Sequence, residues 1–174
     1  MNAFVEILKI LIPAGAVFAA AYLLVKRFLD NDQKRREHEL KKSAQGTITP
    51  LKIQAYERIV IFLERINPNS LVIRVNKNGM SARQLHQELV AAVKSEYEHN
   101  LSQQIYVTHG SWELVKNAKE ELIKLINISS TKVSPEGPSN ELAMMVLNVA
   151  AGLDKKLPSE IAIEFIKKEV AKIF

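Results

Sequence analysis

Residues 10–25 read ILIPAGAVFAAAYLLV, an uncharged run of sixteen. A helix rises about 1.5 Å per residue, so the run covers roughly 24 Å, a little less than a ~30 Å hydrocarbon core. Ile7 and Leu8 extend it on one side, Phe28 and Leu29 on the other. Lys9, Lys26 and Arg27 are long enough to carry their charges out to headgroups. Pro13 and Gly15 are tolerated in a membrane helix. A helix on a small soluble domain needs a polar face, which this run lacks. A cleaved signal peptide needs small residues and then a polar mature chain. Ala19-Ala20-Ala21 supplies the small residues, but Tyr22-Leu23-Leu24-Val25 continues the apolar run and Lys26-Arg27 closes it. The expectation is an uncleaved, single-pass transmembrane anchor over residues 1–29.

Charge sets the expected orientation. The net charge is +5, but residues 26–42 alone carry seven bases and four acids. The membrane-flanking bases are Lys26, Arg27, Lys34, Arg35 and Arg36, with Lys41 and Lys42 beyond, against a single lysine before the run. The positive-inside rule then puts the N-terminus in the periplasm and the C-terminal domain in the cytoplasm. From residue 16 to 45 there is neither Gly nor Pro. Asp30–Lys34, Asp32–Arg36 and Glu37–Lys41 are acid-before-base pairs four residues apart, the order that supports a helix. Residues 30–46 therefore read as a charged helical stalk ending near Gly46, either a rigid spacer with affinity for anionic lipid or an ordinary stop-transfer flank on a solvated helix. Apolar residues after Leu29 are too sparse for a coiled-coil seam.

The cluster Gly46-Thr47-Ile48-Thr49-Pro50 predicts a boundary. Beyond it, apolar residues at 53, 56, 59, 60, 63 and 66 form one broad helical face. Residues 71–75, LVIRV, suit either a short strand or a helical turn after Pro68. Ser81 and Gln84 have the spacing of a capping box, and Leu85, Leu89, Val93, Tyr97 and Leu101 follow in steps of four, to about Gln103. Thr108 or Ser111 can cap the next helix, whose inner face carries Trp112, Val115, Ala118, Leu122, Leu125 and Ile126. The segment SSTKVSPEGP, residues 129–138, is a loop by composition. A helix over 139–151 is closed by Gly152, and Pro158 opens a last one carrying Ile163, Ile166, Val170 and Ile173. The fold class expected is all-α: a transmembrane helix continuing into a stalk, then a small bundle of about five helices. The divisions are anchor 1–29, stalk 30–46, helical core domain 47–128, loop 129–138 and C-terminal helical pair 139–174.

Chemistry-bearing residues are few. The absence of cysteine excludes disulfides, thiolate metal sites and cysteine nucleophiles. The three aspartates are Asp30, Asp32 and Asp154, two of them in the stalk. Glu96 and His99 form one Glu-x-x-His, and a di-iron bundle needs two such motifs plus two further glutamates. No phosphate loop, dinucleotide fingerprint or zinc-protease helix is present. No enzyme activity, cofactor or metal is expected. Residues 43–174 carry a net charge of only +2, which disfavours a nucleic-acid partner. Arg58 and Arg65, seven residues apart on one helical face, are candidates for holding an anion. Trp112 stands out, although packing accounts for it. Ile166 and Val170 lie on a stripe that either completes the core or docks on a partner.

Several stretches carry a resemblance: LKIQAYERIVIFLERINPNSLVIRV, GMSARQLHQELV, EYEHNLSQQIYV and SWELVKNAKEELIKLIN. With the N-terminal run, they are similar to an uncharacterised family of single-pass, membrane-anchored proteins of Bacteroidota. The resemblance covers the N-terminal span and roughly residues 47–130; residues 133–174 lie outside it. It implies a Gram-negative inner membrane and a helical remainder, and carries over no catalytic residue. The function expected is a membrane-tethered cytoplasmic interaction or scaffold module, with the lipid bilayer and another protein, or a second copy, as partners. The alternative is an unrecognised enzyme or anion-binding regulatory domain centred on Tyr56, Glu57, Arg58, Glu64 and Arg65.

Overall fold

The computed structural model describes the backbone of residues 3–173 and the side chains of these residues other than 3–10, 12–14 and 44. Among the described residues there are six α-helices and no strand: α1 (Ala3–Arg65), α2 (Pro68–Val75), α3 (Ala82–Asn100), α4 (His109–Ser130), α5 (Ser139–Ala151) and α6 (Pro158–Val170). A 3-10 segment, Leu101–Ile105, follows α3. The chain divides into two compact units, Met1–Ile48 and Thr49–Phe174.

The first unit is helical from Ala3. Leu11, Val17, Phe18, Tyr22, Leu23, Leu24, Val25, Phe28 and Leu29 are each 57–75% exposed. Among the described residues no helix is long and apolar enough to cross a membrane. Of the expected anchor, residues 1–29, the side chains of residues 1–10 and 12–14 lie outside the described residues. Of the three ion pairs expected in the stalk, Asp32–Arg36 closes at 2.9 Å. Arg35 instead reaches Glu39 at 3.0 Å, and Gln33 donates to Glu37 at 3.3 Å. The helix does not end near Gly46 as expected; α1 continues to Arg65. Pro50 loses the bond its N–H would have made to the Gly46 carbonyl and its ring crowds that carbonyl, but propagation through formed helix is favourable on both sides.

In the second unit the stretch of α1 beyond Thr49 buries Ala55, Tyr56, Ile59, Phe62 and Leu63, with Ile66 just past its end. This is the 3.6-residue period of the sequence turned to the core. The Asn67 side chain caps α2 by accepting the Asn69 N–H at 3.1 Å, and Pro68 takes the first helical position. That start decides residues 71–75 in favour of helix, with Leu71 and Val72 buried and Ile73 on the outside. The expected capping box is present: the Ser81 N–H donates to Gln84 Oε1 at 2.9 Å, and the Gln84 N–H to Ser81 Oγ at 3.3 Å. Gly79, at φ 87°, makes the turn before it, in the left-handed region that favours glycine.

Helix α3 buries Leu85, Leu89 and Val93. It stops at Asn100, three residues short of the expected end, where the 3-10 turn begins. Thr108 caps α4, accepting the Ser111 N–H at 3.2 Å. Helix α4 packs against α3, α5 and α6. Leu142 and Val146 of α5 and Ala162, Ile163 and Ile166 of α6 complete one core. An aromatic column stands in it: Tyr97 meets Phe62 edge-on at 6.1 Å and stacks on Trp112 at 5.5 Å. Lys119 Nζ lies 4.3 Å from the Tyr97 ring centroid. The connection 131–138 is held to the start of α3 by backbone bonds, Ala82 N–H to Gly137 O and Arg83 N–H to Pro135 O, while the Ser139 N–H bonds Met80 O.

Candidate functional site

The second unit carries an apolar trough of about 680 Å³. Helix α4 contributes Asn117, Ala118, Glu121, Leu122, Leu125 and Ile128. Opposite lie Val149 of α5, the connection through Leu153 and Leu157, and the first turn of α6 with Ile161. Ile66 and Pro68 come from the α1–α2 corner. Ala118, Leu122 and Leu125 are buried and form a floor, whereas Ile128, Leu153 and Ile161 are exposed. The trough exists because the apolar stripe of α4 is wider than α3, α5 and α6 cover, and because only six residues, 152–157, lie between α5 and α6. Its rims carry both signs of charge. Lys124 pairs with Glu121 at 2.6 Å, Lys156 pairs with Glu164, and Asp154 and Lys155 have no ion pair among the described residues.

Two polar clusters lie elsewhere in the unit. In the first, Glu169 of α6 accepts three hydroxyl hydrogen bonds on Oε2: from Ser111 at 2.5 Å, Thr108 at 2.6 Å and Tyr56 at 3.0 Å. Burial pushes the Glu169 carboxyl up, but the bonds from Ser111, Thr108 and Tyr56 outweigh it and hold it below the usual carboxylate range. Burial raises the Tyr56 phenol above its ordinary value, and the neighbouring carboxylate acts the same way. The position suits a negative charge, because the N-terminus of α4 is the positive end of its dipole. In the second cluster, Glu96 Oε1 takes Arg65 at 2.6 Å and Arg74 at 2.7 Å. Burial opposes ionisation of Glu96, and the two guanidiniums more than compensate.

With this geometry in view, the family model described as a family of unknown function (DUF7935) matches residues 2–173. The chain belongs to DUF7935. No curated protein and no solved structure matches it. The DUF7935 match also corrects the extent of the resemblance, since residues 133–173, which resembled nothing, fall inside the family. The reason is physical as well: α5 and α6 supply part of the single core and cannot be an appendage.

The sequence-predicted residues of this DUF7935 chain fall in separate places. Arg58 donates to the His99 carbonyl at 3.2 Å, and Arg65 donates to Glu96 Oε1 at 2.8 Å. An anion there would have to displace a carboxylate already shared by two guanidiniums. Trp112 is 6% exposed and is a packing residue. Ile166 is 1% exposed and belongs to the core, so it cannot meet a partner while the domain is folded; Val170 is half-buried against the same core. The membrane-flanking bases Lys26, Arg27, Lys34, Arg35 and Arg36 lie in the first unit, all exposed. Among the described residues no three His, Cys, Asp or Glu gather as metal ligands, and Glu96 is engaged by arginines rather than by His99. The sequence did not reveal the trough. Its only trace was Ile128, Leu153 and Ile161, apolar residues lying off the inward stripes.

Proposed function

We propose that the protein is a membrane-tethered, non-enzymatic helical module whose trough along α4 holds an amphipathic helix of a partner protein. The setting proposed is the inner membrane of a Gram-negative bacterium of the Bacteroidota, with the N-terminus periplasmic and the helical domain cytoplasmic. The trough carries the reading. From Asn117 to Ile128 it follows about three turns of α4, roughly 16 Å at 1.5 Å per residue. A helix bearing apolar residues at i, i+3 or i+4, and i+7 matches that length and floor. The mixed rim charges suit the polar flanks of such a helix and give a bare lipid chain nothing specific to meet. The tether rests on the uncharged run and the exposed apolar side chains of the first unit, whose burial in lipid is favourable. The orientation rests on the seven bases that follow.

A photo-crosslinking residue placed at Ile128 in the full chain, in native membranes, tests the docking. The expected product is an adduct with one protein, joined through a segment with that apolar spacing and lost in Leu153→Asp and Ile161→Asp variants. Adducts with lipid alone, or none, overturn the docking. A reporter active only in the periplasm, fused after residue 174, should stay silent; activity there overturns the orientation.

A further inference from the structure

The bases of the first unit are unevenly distributed around the helix. At about 100° per residue, Lys41, Lys34, Arg27, Lys42 and Arg35 fall within one sector of about 120°, together with His38, Asn31 and Gln45. No acid falls in that sector. The rest of the turn between residues 26 and 42 holds Lys26 and Arg36 with all four acids, Asp30, Asp32, Glu37 and Glu39. Ion pairing sharpens the contrast. Arg36 is tied to Asp32 on the acidic side, and Arg35, at the edge of the basic sector, reaches out to Glu39. Arg27, Lys34, Lys41 and Lys42 have no ion pair among the described residues, and all are exposed. Arg27, Lys34 and Lys41 follow one another at seven-residue intervals, so they make a row up one side of the helix.

A stop-transfer flank needs only net positive charge after the apolar run; it does not need the charge on one side. We infer that this one-sided basic row binds the phosphates of anionic phospholipids and enriches them beside the helix. The row begins at Arg27, two residues beyond the uncharged run, which puts its first guanidinium at headgroup depth if that run lies in lipid. The inference therefore rests on the proposed tether. Charge attraction falls off over about 8 Å at physiological salt, so Arg27 and Lys34, about 10 Å apart along the axis, act most strongly and Lys41 and Lys42 least. Each base at the surface is worth about fivefold in affinity for an anionic surface.

The test reconstitutes the full chain in phosphatidylcholine vesicles containing 20% phosphatidylglycerol and measures, with spin-labelled lipids, the preference for each headgroup beside the protein. The expected result is a several-fold preference for phosphatidylglycerol that weakens with salt. The deciding variant exchanges neighbours, Gln33→Lys with Lys34→Gln and Leu40→Lys with Lys41→Leu. It keeps the net charge and moves two bases off the row. A preference that falls toward unity supports the row; a preference unchanged in this variant shows that net charge alone acts and overturns it. Retention of a labelled DNA duplex on phosphatidylcholine vesicles at 0.15 M salt, without headgroup preference, also overturns it and assigns the row to nucleic acid. Failure of the tether is read separately. A chain that is washed from pure phosphatidylcholine vesicles by alkaline carbonate was never inserted, whereas one that stays inserted without preference refutes only the row.

Discussion

Glu169→Gln removes one charge from the point where α6, α4 and α1 meet. Glu169 Oε2 accepts hydroxyls from Ser111, Thr108 and Tyr56, and each of these is a charge-assisted hydrogen bond. Such bonds are about twice as strong as neutral ones, whose net worth is roughly 1 kcal/mol. Glutamine keeps an acceptor oxygen of the same shape, so the bonds weaken rather than vanish. Three weakened bonds, not fully additive, give a loss of about 2 kcal/mol, or roughly 5–10 °C in the melting temperature of a domain this size. The pH dependence gives an independent check. The folded state holds the Glu169 carboxyl below its ordinary value of 4.5, so its contribution is fully present above that value and is lost as the pH falls through the lower, folded one. Thermal melts of fragment 47–174 and its Glu169→Gln variant should differ near neutral pH and converge in acid. Equal melts at neutral pH, or a gap that does not close in acid, would refute the reasoning.

Ile166→Ala should cost about 2–5 kcal/mol by denaturant titration, because the side chain is fully enclosed, whereas Val170→Ala, half-buried, should cost about 1 kcal/mol. Fragment 47–174 should give a far-UV circular dichroism spectrum dominated by helix, with no strand contribution from residues 71–75. Gly79→Ala, at φ 87°, should destabilise by roughly 1 kcal/mol in chemical denaturation while leaving the spectrum unchanged.

Local signals in the sequence were read well where one short-range interaction decides the outcome. The Ser81–Gln84 box, Thr108 at the start of α4, Gly152 after α5 and Pro158 opening α6 each concern residues within four positions of one another. Residues 71–75 were ambiguous because β-branched content and the Asn67-Pro68 start point opposite ways, and the cap won. Gly46 and Pro50 were overvalued as breakers; each weakens the helix locally, but the helix propagates on both sides. The candidate site was largely hidden. Glu169 meets Tyr56 across 113 residues and Arg74 meets Glu96 across 22, separations that periodicity does not encode. Arg58 and Arg65 were placed correctly on α1, but their partners, the His99 carbonyl and Glu96, come from α3.

The connection 131–138 has the composition of a segment that tolerates insertion, but its backbone bonds to Ala82 and Arg83, beside Ser139 on Met80, set its length. An added residue would break the match with the first turn of α3, and a cut there would strip two helix starts at once. The other connection, 152–157, makes no such commitment to a distant helix and lines the trough directly. Length and sequence can therefore drift at 153–156, between Gly152, which closes α5, and Leu157, which caps α6. Between members of one family, this is where trough shape should diverge while the scaffold stays the same, so a change of partner is within reach of a few substitutions in a single short loop.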